Sequence, residues 1–312
     1  MSEPNIQIPA EYVVRLNMNG LKGRMLKMPP PKNTKREVLL IYGHHASLER
    51  FYSLAQVIND DAGVTLPDLP GFGGMDSFYK IGEKPDIDTM ADYMASFIKM
   101  RYKKQRFTII GISYGFTVVT RMLERYPDMA KQVDLLVSVV GFAHKDDLIF
   151  TPARYHFYKN AARFFSFKLP AAFFKNVILS PFVLKTFYSR THNAKNKFQD
   201  LSAEERVYLS EFEVHLWRIN EVRTYMTTTI SMLTLNNCIG KVDLPVWHIG
   251  VKKDNYFNNE SVEKHMRAVY TDFKILWAPI KTHMPNVIAG KAEAATLVPP
   301  KIHQLLKRAP KK

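Results

Sequence analysis

The chain has 312 residues, enough for one domain with a sizeable insertion or two small domains, and 46% of them are hydrophobic, as in a folded globular protein. No apolar run approaches the roughly 18 residues of a membrane span, MSEPNIQIPAEYVV lacks the basic start and apolar middle of a secretory leader, and the lone Cys238, read as a small core residue, excludes an internal disulfide, so the expectation is a cytoplasmic protein. The net charge of +15 could draw nucleic acid, anionic membrane or acidic substrates, but neither zinc-finger spacing nor an RNA-binding motif accompanies it, so a solvated basic surface is expected and nucleic-acid binding is not.

In chain order, residues 11–28 give two extended runs around Asn19-Gly20, a hairpin turn signal. Pro29-Pro30-Pro31 makes a stiff linker, and EVLLIYG (37–43) reads as a strand buried on both faces. Residues 47–60 carry a helical period, with Leu48, Phe51, Leu54, Val57 and Ile58 on one side. GVTLPDLPGFGG (63–74) is a strand running into a Gly/Pro loop, and a helix is expected at about 87–104. FTIIGISYGFTVVTRMLERY (107–126) is a strand, a tight turn and an amphipathic helix, and VDLLVSVVG (133–141) is the next buried strand. This alternation predicts a mostly parallel α/β sheet flanked by helices. From 142 to 240 the chain is aromatic, basic and helical in pattern, with no convincing strand. LPVWHIGV (244–251) then resumes as strand, 258–270 as helix, FKILWAP (273–279) as strand and about 291–308 as one final helix. The expected organisation is an α/β core in two parts, 1–141 and 241–312, interrupted by a helical cap over 142–240 after the sixth strand.

Gly-Ile-Ser-Tyr-Gly between a strand and a helix describes a nucleophile elbow. Gly111 and Gly115 leave room for the turn, Ser113 sits at its tip, and Tyr114 opens the helix with its N–H pointing where an oxyanion would form. A serine hydroxyl needs a histidine to take its proton and a carboxylate to orient that histidine. With the order serine, acid, histidine on strand-end loops, Asp254 in GVKKDNYF and His283 in IKTHMPN are the candidates. Asp146 and Asp147 stand as alternative acids. His265 and His303 fall within helices, and His248 within a strand, where a buried structural imidazole is expected. Gly43 lets the loop after EVLLIYG turn closely, and His44 offers the second oxyanion N–H. The adjacent His44 and His45 lack an obvious carboxylate cluster, so no metal is expected.

LLIYGHHAS, DLPGFGG, GISYG, LPVWHIGVKKDN and APIKTHMPN together resemble the α/β-hydrolase fold superfamily, across nearly all of the chain outside the insertion. DLPGFGG looks like the strand-end loop of capped members such as epoxide hydrolases and haloalkane dehalogenases. Those relatives use an aspartate nucleophile; Ser113 in that place implies acyl transfer to water instead. Tyr42 stands where many members have histidine, which changes the hydrogen bonding expected around the oxyanion loop. The resemblance implies catalysis by Ser113, His283 and Asp254 through an acyl-enzyme, with no cofactor.

The segment RFFSFKLPAAFFKNVILSPFVLKTFYSR is dense in phenylalanine and punctuated by basic residues. Phe164, Phe165, Phe173, Phe174, Phe182 and Phe187 are candidates for an apolar acyl pocket, or else pack the cap onto the body. The same segment suits peripheral contact with an anionic membrane surface. The expected partner is a small-molecule ester with an apolar acyl or aromatic part, lactones included. A lipid-surface lipase, a serine C–C hydrolase and a non-catalytic binder on the same scaffold are the competing readings. The sequence leaves the oligomeric state open.

Overall fold

The structure is a computed structural model and describes residues 8–32, 34–180, 183, 203–280, 283 and 290–308. An antiparallel hairpin of β1 (Val13–Met18) and β2 (Leu21–Met28) opens the fold. Its two turn residues, Asn19 and Gly20, both take positive φ, the backbone that an Asn-Gly hairpin turn needs. After them come β3 (Glu37–Ile41), α1 (Leu48–Asn59), β4 (Gly63–Pro67), α2 (Ile87–Tyr102), β5 (Phe107–Ile112), α3 (Tyr114–Arg125) and β6 (Val133–Val139). The chain then turns helical through α4 (Pro152–Phe165), α5 (Lys168–Phe173), α6 (Ala203–Ile219) and α7 (Val222–Leu233). It returns to the sheet with β7 (Val242–Gly250), α8 (Asn259–Val269) and β8 (Tyr270–Trp277), and closes with α9 (Lys291–Ala295) and α10 (Pro300–Lys307).

One sheet of eight strands forms in the order β1-β2-β4-β3-β5-β6-β7-β8. β2 meets β4 antiparallel, and every pair from β4 to β8 is parallel. Parallel strands covered on both faces should be apolar throughout, and β4 and β5 are buried at every position. α1 buries the side that its sequence period marks, Leu48, Phe51, Leu54, Val57 and Ile58. The expected single helix at 291–308 is a correction: the chain forms two short helices there. Pro299 and Pro300 break it, because proline lacks the N–H an inner turn requires yet suits a helix start, and Pro300 begins α10.

Among the described residues, two hydrophobic clusters form. The large one holds the sheet and its flanking helices. The small one lies among the helices between β6 and β7 and is built from Ala162, Ala171, Leu179, Val214, Val222 and Met226. Tyr225 packs against both. Among the described residues, no helix is long and apolar enough to cross a membrane.

Candidate active site

Ser113 follows β5 and precedes α3 with φ 47° and ψ −118°, a strained backbone for a residue with a side chain. The surroundings hold it there: its N–H donates to the Val139 carbonyl at 2.9 Å, and its own carbonyl accepts from Phe116 N–H at 3.0 Å. The two glycines of the motif are fixed by close approach. A β-carbon on Gly115 would lie 2.3 Å from the Tyr42 carbonyl oxygen, and one on Gly111 would lie 2.8 Å from the Phe116 Cα.

The Ser113 Oγ lies 3.1 Å from His283 Nε2, and His283 Nδ1 lies 2.7 Å from Asp254 Oδ2. A carboxylate only accepts, so Nδ1 carries the proton and Nε2 turns its lone pair to the serine. Asp254 follows β7, and its other oxygen, Oδ1, accepts from Tyr256 N–H at 2.8 Å and Phe257 N–H at 3.2 Å. The rings of Phe257 and Tyr256 pack against His283, with centroids 5.0 and 5.3 Å away. Serine, histidine and acid thus meet from the ends of three strands.

Gly43 brings the loop after β3 against the serine, since a β-carbon there would sit 3.3 Å from Ser113 Cβ. His44 follows it in the chain. Tyr114 is the first residue of α3, so its N–H belongs to the first-turn group that has no acceptor within the helix. The His44 side chain turns to α7: Nε2 lies 2.8 Å from Thr228 Oγ1 and 3.2 Å from the Tyr225 carbonyl. A carbonyl only accepts, so Nε2 carries the proton. Burial pushes the His44 imidazole down to about 3, which keeps it neutral. Its neighbour His45, also lowered by burial, packs on Trp217 at 4.0 Å and meets the Asn220 amide at 3.1 Å. The paired histidines therefore tie the loop to the helices above it. Among the described residues, no group of His, Cys, Asp or Glu side chains could hold a metal ion.

The other titratable candidates take part elsewhere. Asp147 accepts from the Ala143 and His144 N–H groups, each at 3.0 Å, and pairs with His265 at 2.5 Å. Asp146 lies next to Lys145 on the surface, and His303 pairs with Asp61. His248 is buried, meets Ser138 Oγ at 2.9 Å and is lowered to about 4 by burial. Among the phenylalanines, Phe165 and Phe174 pack on one another, centroids 4.6 Å apart, against the small cluster. Phe164 and Phe173 are exposed. Phe182 and Phe187 lie outside the described residues.

A network beneath the loop after β3 has no counterpart in the sequence reading. The Tyr42 hydroxyl donates to Asp68 Oδ1 at 2.9 Å and accepts from Leu69 N–H at 2.8 Å. Arg24 donates through Nε to Asp68 Oδ2 at 2.9 Å and through both terminal nitrogens to Glu49, at 2.7 and 2.9 Å. Asp68 is wholly buried, and burial raises its carboxyl above the usual range against the pull of Arg24. Tyr42 thus replaces the expected histidine with a hydroxyl that clamps the loop to DLPGFGG. The one signal available was an aspartate between two apolar stretches of a buried strand end.

The alpha/beta hydrolase fold family matches residues 37–225. No curated protein sequence matches this chain significantly. An esterase from Thermogutta terrifontis, solved with malate, is similar in structure, with a TM-score of 0.63 and 14% identity over 95% of this chain and 99% of that one. The N-formylmaleamic acid deformylase of Pseudomonas putida S16 gives 0.62 and 13%, over 88% and 94% of the two chains. The enol-lactonase of Burkholderia xenovorans LB400 gives 0.60 and 11%, over 85% and 91%. At such identities these likenesses concern the fold. With the family match running from β3 into α7, across the elbow and the helices above it, the chain belongs to the alpha/beta hydrolase fold family and is a hydrolase.

Proposed function

We propose that the chain is a serine hydrolase for carboxylic esters with an apolar acyl or aromatic part, lactones included. The observation that carries this reading is the unbroken chain of contacts from Ser113 Oγ through His283 to Asp254, at 3.1 and 2.7 Å. His283 Nε2 takes the hydroxyl proton as Oγ attacks the substrate carbonyl, and Asp254 stabilises the imidazolium that forms. The N–H groups of His44 and Tyr114 receive the oxyanion, a contribution of about 3 kcal/mol per donor in comparable sites. The imidazolium then protonates the leaving alcohol. Water, activated by the same Nε2, cleaves the acyl-enzyme and regenerates Ser113.

The helices between β6 and β7 act as a cap in this reading, bounded by residues 142 and 240. A cytoplasmic setting accords with the single thiol, Cys238, which burial raises to about 11 and so keeps protonated.

The test is hydrolysis of p-nitrophenyl esters from acetate to palmitate by the native chain and by Ser113→Ala. Turnover that falls by roughly 10⁴-fold or more in the variant supports the assignment. A variant with native turnover sinks it.

A further inference from the structure

The outer surface of α4 and α5 carries apolar side chains that no part of the described chain covers. Phe157 and Phe164 stand seven residues apart on α4, two helical turns, and so share one outward stripe opposite the buried Ala162. Phe157 is 68% exposed, Phe167 66% and Leu169 82%. Phe173, four residues beyond Leu169, lies on the same side of α5 and is exposed as well. A soluble surface rarely gathers large apolar side chains so densely without a partner.

The charge around this patch has one sign. From Leu148 to Gln199 the sequence contains no Asp or Glu. Arg154, Arg163 and Lys168 are exposed beside the aromatic rings, and among the described residues none has an acidic partner within ion-pair distance. A second copy that met this face with its own α4 and α5 would bring the same positive charge to the contact and be repelled. An anionic bilayer offers both an apolar interior for the rings and negative headgroups for the cations.

We propose that the outer face of α4 and α5 docks on an anionic lipid bilayer, with Phe157, Phe164, Phe167 and Leu169 entering the headgroup boundary and Arg154, Arg163 and Lys168 meeting the phosphates. The inner side of the same helix packs on the neighbouring α7, where the Tyr155 hydroxyl donates to the Leu233 carbonyl. Docking therefore sets the cap's outer face in the membrane and leaves the body in water. It does not depend on the ester-hydrolase reading, because none of these side chains takes part in the proposed chemistry.

Co-sedimentation of the full chain with phosphatidylcholine vesicles, with and without roughly 30 mol % phosphatidylglycerol, tests it. The native chain is expected to pellet with the anionic vesicles only, and to be released as salt rises. Ser113→Ala is expected to bind like the native chain, so loss of chemistry and loss of docking are read separately. Phe157→Ser with Phe167→Ser, and separately Arg163→Glu with Lys168→Glu, should each weaken binding at least about tenfold, with an unchanged thermal midpoint by circular dichroism to show that the variants fold. A native chain that stays in solution with anionic vesicles overturns the proposal. Binding that responds to the charge reversals but not to the phenylalanine substitutions does so too, since it would be adsorption by net charge alone. A native dimer in sedimentation equilibrium that becomes monomeric on the phenylalanine substitutions would assign the face to self-association and overturn it as well.

Discussion

Gly115 shows how closely the elbow is built. The atom that a β-carbon there would strike, at 2.3 Å, is the backbone carbonyl oxygen of Tyr42, just after β3, and cannot swing aside like the end of a side chain. Gly115→Ala is expected to destabilise the fold by about 2–4 kcal/mol, read as a lower urea midpoint; an unchanged midpoint would mean that the loop yields freely. Tyr42→Phe removes one donor from the Asp68 carboxylate and the acceptor of Leu69 N–H, for an expected loss of about 1–3 kcal/mol. His248 gives a pH prediction. Its imidazole titrates near 6.5 in the unfolded chain and near 4 in the fold, so between those values the unfolded state holds the extra proton. Its share of stability is intact above pH 6.5 and falls by about 1.4 kcal/mol per unit as pH drops towards 4. Urea titrations over that window should show His248→Gln losing stability less steeply than the native chain, by one proton. At this scale the sequence revealed what sits at a strand end or in a local motif: Ser113, Asp254 and His283 all do. Arg24 and Asp68 are 44 positions apart, and no local pattern links them.

α7 is the element that joins the helices above the site to the body. The Glu221 N–H before it donates to the Gly71 carbonyl at 2.8 Å, Thr224 meets Ser77 at 2.7 Å, and Thr227 meets the Tyr79 hydroxyl at 2.7 Å. Thr228 and the Tyr225 carbonyl then hold the His44 ring. This fixes the segment that carries one proposed oxyanion donor. Thr228→Val removes the shorter of the two contacts and keeps the side-chain shape. The expected result is a kcat several-fold lower with KM little changed, and a stability loss of about 1 kcal/mol. A KM effect alone would place Thr228 in substrate binding instead. Elements were legible wherever one period ran between clear stops, as in α1, α3 and β5. The break between α9 and α10 was hidden because Ala294, Leu297, Val298, Ile302 and Leu306, all buried, keep helical spacing across the prolines. The burial pattern continues through a backbone that does not.

Among the described residues there are two cores of unequal size, and the smaller rests on six buried side chains, three of them in α6 and α7. Local stability follows buried apolar contact, so amides of α4 and α5 should exchange with solvent faster than those of β5 and β6. Tyr225→Ala removes a side chain that packs on both clusters and should widen that gap; equal protection in α4, α5 and the sheet would show a single cooperative unit instead. The alternation of strands and helices made the sheet readable, and the loss of alternation after Gly141 marked the helical stretch. Which phenylalanines face inward was not readable there, because nearly every turn of α4 and α5 carries an aromatic ring and no polar stripe marks an outer side. Chain position also separates the parts of the candidate site. The Ser113–His283 contact closes a loop of 170 residues, and the histidine follows the last strand of the sheet. On the proposed mechanism, a growing chain therefore presents Ser113 long before His283 exists. Recovery of the proposed ester hydrolysis after dilution from denaturant is therefore expected to trail the return of helical circular dichroism.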